Sequence, residues 1–73
     1  MSLKQIKFRK ALRKLREEKG LSLRDLQKAT GIWYVTLSRY ENGIYLKPNR
    51  ENLIKLEKAF GVKRSYFEEL LEV

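Results

Sequence analysis

The sequence predicts an all-α fold, a compact domain of five helices. Apolar residues recur at helical spacing along most of the chain, and no stretch alternates with the period of a β-strand. Glycines follow several of these segments at the position where helices end. With 73 residues, the chain is predicted to form a single domain over residues 1–73, near the lower size limit for a core without disulfides or metal.

The first helix is predicted by an apolar stripe whose members are three, one and three residues apart. The stripe consists of Phe8, Ala11, Leu12 and Leu15. This spacing predicts a helix from about Leu3 to Lys19, with Lys and Arg residues around the rest of its circumference. Gly20 is expected to end it.

The second helix has recognisable signals at both ends. Ser22 and Asp25 have the spacing of a capping box, in which a hydroxyl accepts a backbone N–H and a carboxylate accepts the N–H of the cap residue. The helix is therefore expected to begin at Leu23. Gly31 can adopt the left-handed conformation that ends a helix, and Ile32 supplies an apolar residue that fixes the turn.

A third helix follows at once, between Trp33 and Glu41, and Asn42 with Gly43 is expected to end it. Leu37 and Tyr40 are three residues apart and should face the core. Two short helices joined by such a tight turn can place the second helix in a DNA major groove.

Two further helices complete the prediction. A loop from Gly43 to Pro48 leads to an Asn49 cap and a fourth helix over residues 50–60, which Gly61 ends. Its predicted inner face consists of Leu53, Leu56, Ala59 and Phe60. A last helix is predicted to begin near Lys63 or Ser65, and it contributes Phe67 and Leu70 to the core.

The composition excludes several kinds of site. The chain contains neither Cys nor His, so we expect no disulfide, no thiolate nucleophile and no metal site. Nine dispersed acidic residues in a small chain leave little for an active site, so we expect no enzyme, no cofactor and no small-molecule ligand. No apolar run is long enough to cross a bilayer and no signal peptide is recognisable, so a cytoplasmic, nucleoid-associated protein is expected.

The net charge of +8, from 17 basic and nine acidic residues, indicates a polyanionic partner. Residues 1–20 hold eight basic and two acidic residues, whereas residues 65–73 hold three Glu and no basic residue. Small domains are also kept soluble by a net charge of about 2 to 8, so charge alone is only modest evidence.

The third helix has a second face that is unusual for plain solvation. Tyr34 and Ser38 form one i, i+4 pair, Val35 and Arg39 form another, and all four point away from the core. Arg can bind guanine O6 and N7, Val can contact a thymine methyl group, and Ser can bond with either base edge. The alternatives are a solvated charge for Arg39, and packing against a second subunit or the first helix for Tyr34 and Val35.

The order of these motifs resembles the Cro and phage-repressor type of helix-turn-helix domain, also called XRE-like, with a lambda-repressor-like fold. The motifs are L-R-x-x-K-G-L-S before the second helix, T-G-I at the turn, T-L-S-R-Y-E-N-G across the third helix, and A-F-G-V after the fourth. The resemblance covers about residues 8–71. It implies a prokaryotic or phage transcriptional regulator, a repressor, that binds double-stranded DNA in a sequence-specific way.

The resemblance also implies roles for individual residues. It places Arg16 and Glu41 as an ion pair that ties the first helix to the end of the third, and Lys47, Asn49 and Arg50 in a loop that contacts phosphates. Asn49 is expected to cap the fourth helix in either case. The full set of expected DNA-binding residues is Trp33, Tyr34, Val35, Thr36, Ser38, Arg39, Lys47, Asn49 and Arg50.

Three positions depart from the family pattern. Trp33 replaces the Ser or Thr that often caps the third helix, so water or a neighbouring group must take that place. Gln27 replaces a small Ala, which implies either a wider helix spacing or a Gln side chain folded along the interface. Leu23 replaces a Gln that contacts phosphate in several relatives, although backbone N–H groups remain there.

Relatives commonly bind palindromic sites as two-fold dimers, so a homodimer is expected. The candidate contacts are the large apolar residues of the last helix and of the loop, namely Tyr45, Leu46, Tyr66, Phe67, Leu70 and Leu71. The alternative is that all of these residues close the core over the first helix.

Two other functions fit the sequence less well. One is a protein-interaction module such as an antitoxin, in which Trp33, Tyr34 and the acidic last helix hold a partner protein. For Trp33 itself, a phosphate contact, a protein contact and a packing role over the turn all remain open. The other is membrane-surface binding by the first helix, which we discount because the core requires its apolar stripe.

Overall fold

A computed structural model describes residues 3–42 and 48–71. Within them the chain forms five α-helices and no strand, so the predicted all-α, five-helix fold is confirmed. The helices are α1 (Leu3–Glu18), α2 (Leu23–Thr30), α3 (Tyr34–Asn42), α4 (Arg50–Phe60) and α5 (Tyr66–Leu71). None of the described helices is long and apolar enough to cross a membrane.

The helix ends follow the predicted capping chemistry. At α2 the Asp25 N–H donates to Ser22 Oγ, and the Ser22 N–H donates to Asp25 Oδ2, each at 3.0 Å. Asn49 caps α4 by accepting the Asn52 N–H at 2.7 Å. Gly31 has φ +78°, a left-handed conformation that turns the chain from α2 into α3. The predicted Gly43 end of α3 lies outside the described residues.

One hydrophobic core joins the helices. Its buried members among the described residues are Phe8, Leu12, Leu26, Ile32, Leu37, Tyr40, Leu53, Leu56, Phe60 and Phe67. The Phe8 ring packs edge to face with Tyr40 at 5.9 Å and with Phe67 at 5.5 Å between ring centroids. These contacts connect α1 to α3 and α5, so burial of one aromatic cluster sets how the helices pack.

Glu57 is a buried residue that the predicted inner face of α4 did not include. Its side chain is almost fully enclosed, and its Oε2 accepts the Phe67 N–H at 3.0 Å near the start of α5. Oε1 is also buried and has no hydrogen-bond partner among the described residues. Glu57 therefore links α4 to α5 through a bond to backbone, whereas Ala59, which was expected on the inner face, is only partly buried.

Candidate nucleic-acid interface

The packing of α3 leaves one side of this helix outward. α1 and α2 both contact α3, which buries Leu37, Tyr40 and Glu41. The predicted inward positions Leu37 and Tyr40 are thus confirmed. Arg39 is exposed on the remaining surface, and four of its neighbours along the helix are half-buried: Tyr34, Val35, Thr36 and Ser38.

The start of α3 is capped from α2. Trp33 carries no side-chain acceptor, but the Tyr34 N–H donates to Gln27 Oε1 at 2.8 Å. Of the two arrangements expected for Gln27, the structure therefore shows the side chain lying along the interface between the helices. A neighbouring group, rather than the helix's own cap residue, satisfies a free N–H in the first turn of α3.

Tyr34 lies between two other side chains. The Arg24 guanidinium carbon is 4.3 Å from the centroid of the Tyr34 ring, within the range of a cation–π contact. Trp33 meets the same ring edge to face, with centroids 6.3 Å apart. Trp33 is itself 59% exposed, the one exposed large hydrophobic residue in the described ranges. Arg24, Trp33 and Tyr34 form what we call the aromatic–arginine cluster.

Ser38 is oriented by the following turn. Its Oγ accepts a hydrogen bond from Asn42 Nδ2 at 3.0 Å. Because a hydroxyl carries one donor and two acceptor sites, Ser38 keeps its O–H and one acceptor site for another partner. The arrangement fixes where that hydroxyl lies on the outward side of α3.

The structure brings Arg16 and Glu41 together. Arg16 Nε donates to Glu41 Oε2 at 2.7 Å, and Nη2 donates to Oε1 at 2.9 Å. Arg16 Nη1 also donates to the Leu21 carbonyl at 2.8 Å. The Glu41 side chain is only 2% exposed and that of Arg16 15%. The hydrogen bonds with Glu41 raise the pKa of the Arg16 guanidinium, so this charge stays in place.

Arg13 is a third member of this ion-pair group. Its Nε lies 3.4 Å from Glu41 Oε1 and 3.8 Å from Glu17 Oε1, with a side chain that is half exposed. Two residues of α1 thus contact one buried carboxylate of α3. The group holds the C-terminal end of α3 against α1 and the segment that enters α2.

The expected phosphate-contacting loop is described only in part. Lys47 lies outside the described residues. Asn49 is exposed and uses its Oδ1 as the cap of α4. Arg50 is 74% exposed, and its Nε lies 3.6 Å from Glu68 Oε1 of α5. Any phosphate contact by Arg50 must therefore compete with an exposed ion pair, which is weak in water.

Arg24 is a part of this surface that no sequence pattern indicated, whereas Gln27 was expected either to widen the helix spacing or to fold along the interface. Arg24 and Gln27 act across the turn on Tyr34, from ten and seven residues away in sequence, and the crossing of the two helices sets how closely they approach it. Gln27 at a position that usually holds a small residue was a usable signal, because its side chain must reach some partner. In the part of the chain described, no cluster of His, Cys, Asp or Glu could hold a metal ion.

These features define a class of protein: a helix-turn-helix domain formed by α2 and α3, in which α3 has an outward, partly charged side. A helix-turn-helix family model matches residues 12–67 of the chain, and the chain belongs to this family, of the Cro/phage-repressor (XRE-like) type. Its function is of the DNA-binding, transcription-regulator type, and the family is not typically enzymatic. No curated protein and no solved structure gives a significant match.

Proposed function

We propose that this protein is a prokaryotic or phage transcriptional repressor that reads double-stranded DNA with α3 in the major groove. The observation that carries the proposal is the outward side of α3, where exposed Arg39 stands among half-buried Val35, Thr36 and Ser38. A surface of one cation, two hydroxyl groups and one apolar side chain fits the donor, acceptor and methyl pattern of base edges.

Each side chain of this surface has a role that suits its chemistry. Arg39 would bind guanine O6 and N7 through two hydrogen bonds, and Val35 would contact a thymine methyl group. Thr36 and Ser38 have hydroxyls for either base edge. Trp33 and Tyr34, at the start of the helix, would contact the sugar–phosphate backbone, as would Lys47, Asn49 and Arg50 after it.

The charge distribution supports a polyanionic partner. The net charge is +8, and eight of the 17 basic residues lie in the first 20 positions. Two of these, Arg13 and Arg16, contact the buried Glu41, so their role is to hold α3 in place. The others supply a long-range attraction that speeds association and weakens as salt is added.

Selection of bound duplexes from a random pool is the experiment that tests the proposal, because it reports binding, the preferred site and the half-site spacing together. We expect a defined motif. Affinity for the selected duplex should then fall with salt at a log–log slope of about −4 to −8, if roughly five to nine phosphates are neutralised. A slope near zero, with no motif selected, would refute the proposal.

The exposed Trp33 also suits a protein partner, since Trp is enriched at the centres of protein interfaces. A protein-interaction module such as an antitoxin is therefore the second candidate function. Duplex selection with the native chain and with Trp33→Ala distinguishes the two, with the selected motif and the salt slope as readouts. In a DNA reader the variant should retain the motif, whereas an interaction module shows no motif in either form.

A further inference from the structure

Arg24 occupies a position that its own helix does not favour. It lies in the first turn of α2, at the positive end of the helix dipole, where a cation is unfavourable. The neighbouring Asp25 has the charge that suits this helix end and forms part of the capping box. The helix therefore gives no local reason for an arginine at this position.

The Arg24 charge is supported by an aromatic ring, and no carboxylate among the described residues pairs with it. Its guanidinium carbon lies 4.3 Å from the centroid of the Tyr34 ring. Arg24 is exposed, and none of the ion pairs between described residues includes it. A guanidinium that lies over a ring still presents the N–H groups along its edge to another partner.

Tyr34 is itself held in place, so the position of Arg24 is linked to the start of α3. The Tyr34 N–H donates to Gln27, and its ring contacts Trp33 edge to face. An arginine that is already ordered loses less freedom when it binds than one that moves freely in water. The cation therefore lies at a defined place beside the first turn of α3.

We infer that Arg24 binds a phosphate of the DNA backbone next to the bases that α3 reads, with Tyr34 as its aromatic support. This inference rests on the proposed function. A phosphate is the fitting partner because its oxygens match the paired N–H groups of a guanidinium. The contact also gives the start of α2 a side-chain bond to phosphate, which the apolar side chain of Leu23, one residue earlier, cannot provide.

The first test measures the affinity of the full chain for the selected duplex across a salt series. Arg24→Ala should weaken binding about 3- to 10-fold on all duplexes alike, and should make the salt slope less steep by about 1. Arg24→Lys keeps the charge, so it should retain the slope and lose part of the affinity. Arg64→Ala is the matched control, because it removes the same charge from an exposed position between α4 and α5.

The second test asks whether Tyr34 supports Arg24. Tyr34→Phe keeps the aromatic ring, and Tyr34→Leu removes it. Arg24→Ala should cost the same factor in affinity in the Tyr34→Phe background as in the native chain, and a smaller factor in the Tyr34→Leu background. Equal factors in all three backgrounds would contradict the supporting role. Circular dichroism checks that each variant is folded.

The results separate this inference from the proposed function. If the native chain shows no salt-dependent duplex binding, the proposed function is wrong, and the inferred phosphate contact of Arg24 is wrong as well. If the native chain binds as expected and Arg24→Ala changes the slope no more than Arg64→Ala, only the inference about Arg24 is wrong. A change of preferred base at one position in Arg24→Ala would show a base contact and contradict the phosphate assignment.

Discussion

The buried carboxylate of Glu41 shows how single residues position α3. It accepts two hydrogen bonds from Arg16 and lies 3.4 Å from Arg13. Taking a carboxylate and a guanidinium out of water has a large free-energy cost, which their attraction offsets only when the geometry is good. The pair therefore contributes mainly by fixing where α3 lies against α1, and less by raising the free energy of unfolding.

Removing one partner should reveal that cost. Glu41→Ala is expected to lower the free energy of unfolding by about 3 kcal/mol, because the largely buried Arg16 guanidinium would lose its partner. Chemical denaturation measures the change. The double variant Arg16→Met/Glu41→Ala is the control, and its loss should be smaller than the sum of the losses of Arg16→Met and Glu41→Ala. A loss of only a few tenths for Glu41→Ala would show that the pair does not act as a buried one.

Arg39 is the residue for which base reading makes the sharpest prediction. Arg39→Ala should relax the preference at one base position and cost about 1 to 3 kcal/mol in binding free energy on the preferred duplex. Arg39→Lys should relax the same position while retaining the salt slope, because it keeps the charge but loses the paired hydrogen bonds. Duplex selection with each variant measures the preference. An unchanged motif would mean that Arg39 does not read a base.

At the scale of single residues, helical spacing was enough to predict the inward positions of α3. Leu37 and Tyr40 are buried as expected, because a period of 3.6 residues determines which side chains share a face. Arg24 was missed, and for Gln27 two arrangements were left open, because the contacts of both residues with Tyr34 cross the turn between two helices. Spacing within one helix cannot give the distance between two.

At the scale of helices, the N-terminal end of α3 depends on α2. The Gln27 bond to the Tyr34 N–H replaces a cap that Trp33 cannot provide. Gln27→Ala should therefore lower the free energy of unfolding by about 1 kcal/mol, or the melting temperature by about 4 to 8 °C. Hydrogen exchange of the Tyr34 amide should also become faster.

A second substitution tests whether this loss is a loss of capping. Trp33→Ser supplies an ordinary side-chain acceptor at the start of α3. In that background, Gln27→Ala should cost less than it does in the native chain. If the cost is the same in both backgrounds, Gln27 contributes through packing and not through the cap.

The capping box of α2 predicts a dependence on pH. The Ser22 backbone N–H, and then its hydroxyl, lower the pKa of the Asp25 carboxyl below its ordinary value of 3.8. A lowered pKa in the folded chain means stability that is present above the ordinary value and is lost as pH falls through the folded value. The native chain should thus be more stable than Asp25→Asn at neutral pH, and the difference should shrink below about pH 4. Chemical denaturation at a series of pH values measures this difference. A difference in the free energy of unfolding between the native chain and Asp25→Asn that is the same at all pH values would contradict the prediction.

Helix ends were predictable because their signals are local. Each signal acts within three or four residues of the helix end that it defines. The signals are the Ser22–Asp25 capping box, the Asn49 cap and Gly31. Glu57 was missed although spacing could have found it, since with Leu53, Leu56 and Phe60 it follows the i, i+3, i+4, i+7 pattern. An acidic residue on such a stripe is readily assigned to solvent, and only the α5 backbone N–H explains its burial.

At the scale of the whole molecule, the last helix bears on assembly. Phe67 is fully buried, so it belongs to the core and is not available as a contact between two copies. Tyr66, Leu70 and Leu71 are only partly buried against the core and remain candidates, whereas Tyr45 and Leu46 lie outside the described residues. These three residues flank Phe67 on α5, and the parts of their side chains that the core leaves uncovered are the dimer contacts that we propose.

We expect two copies to bind one palindromic site, because a single recognition helix reads only a few base pairs. Two-fold docking places the half-site centres about 34 Å apart, one turn of duplex. The described part of the chain spans 30 × 24 × 21 Å, so two copies at that spacing have room for only a narrow contact and should pair on DNA more readily than in solution. Leu70→Lys should make the binding of two copies to a palindromic site less cooperative, and circular dichroism checks that the variant stays folded, since Leu70 is partly buried against the core. Sedimentation with footprinting measures the cooperativity, and a monomer protecting one unrepeated half-site contradicts the dimer.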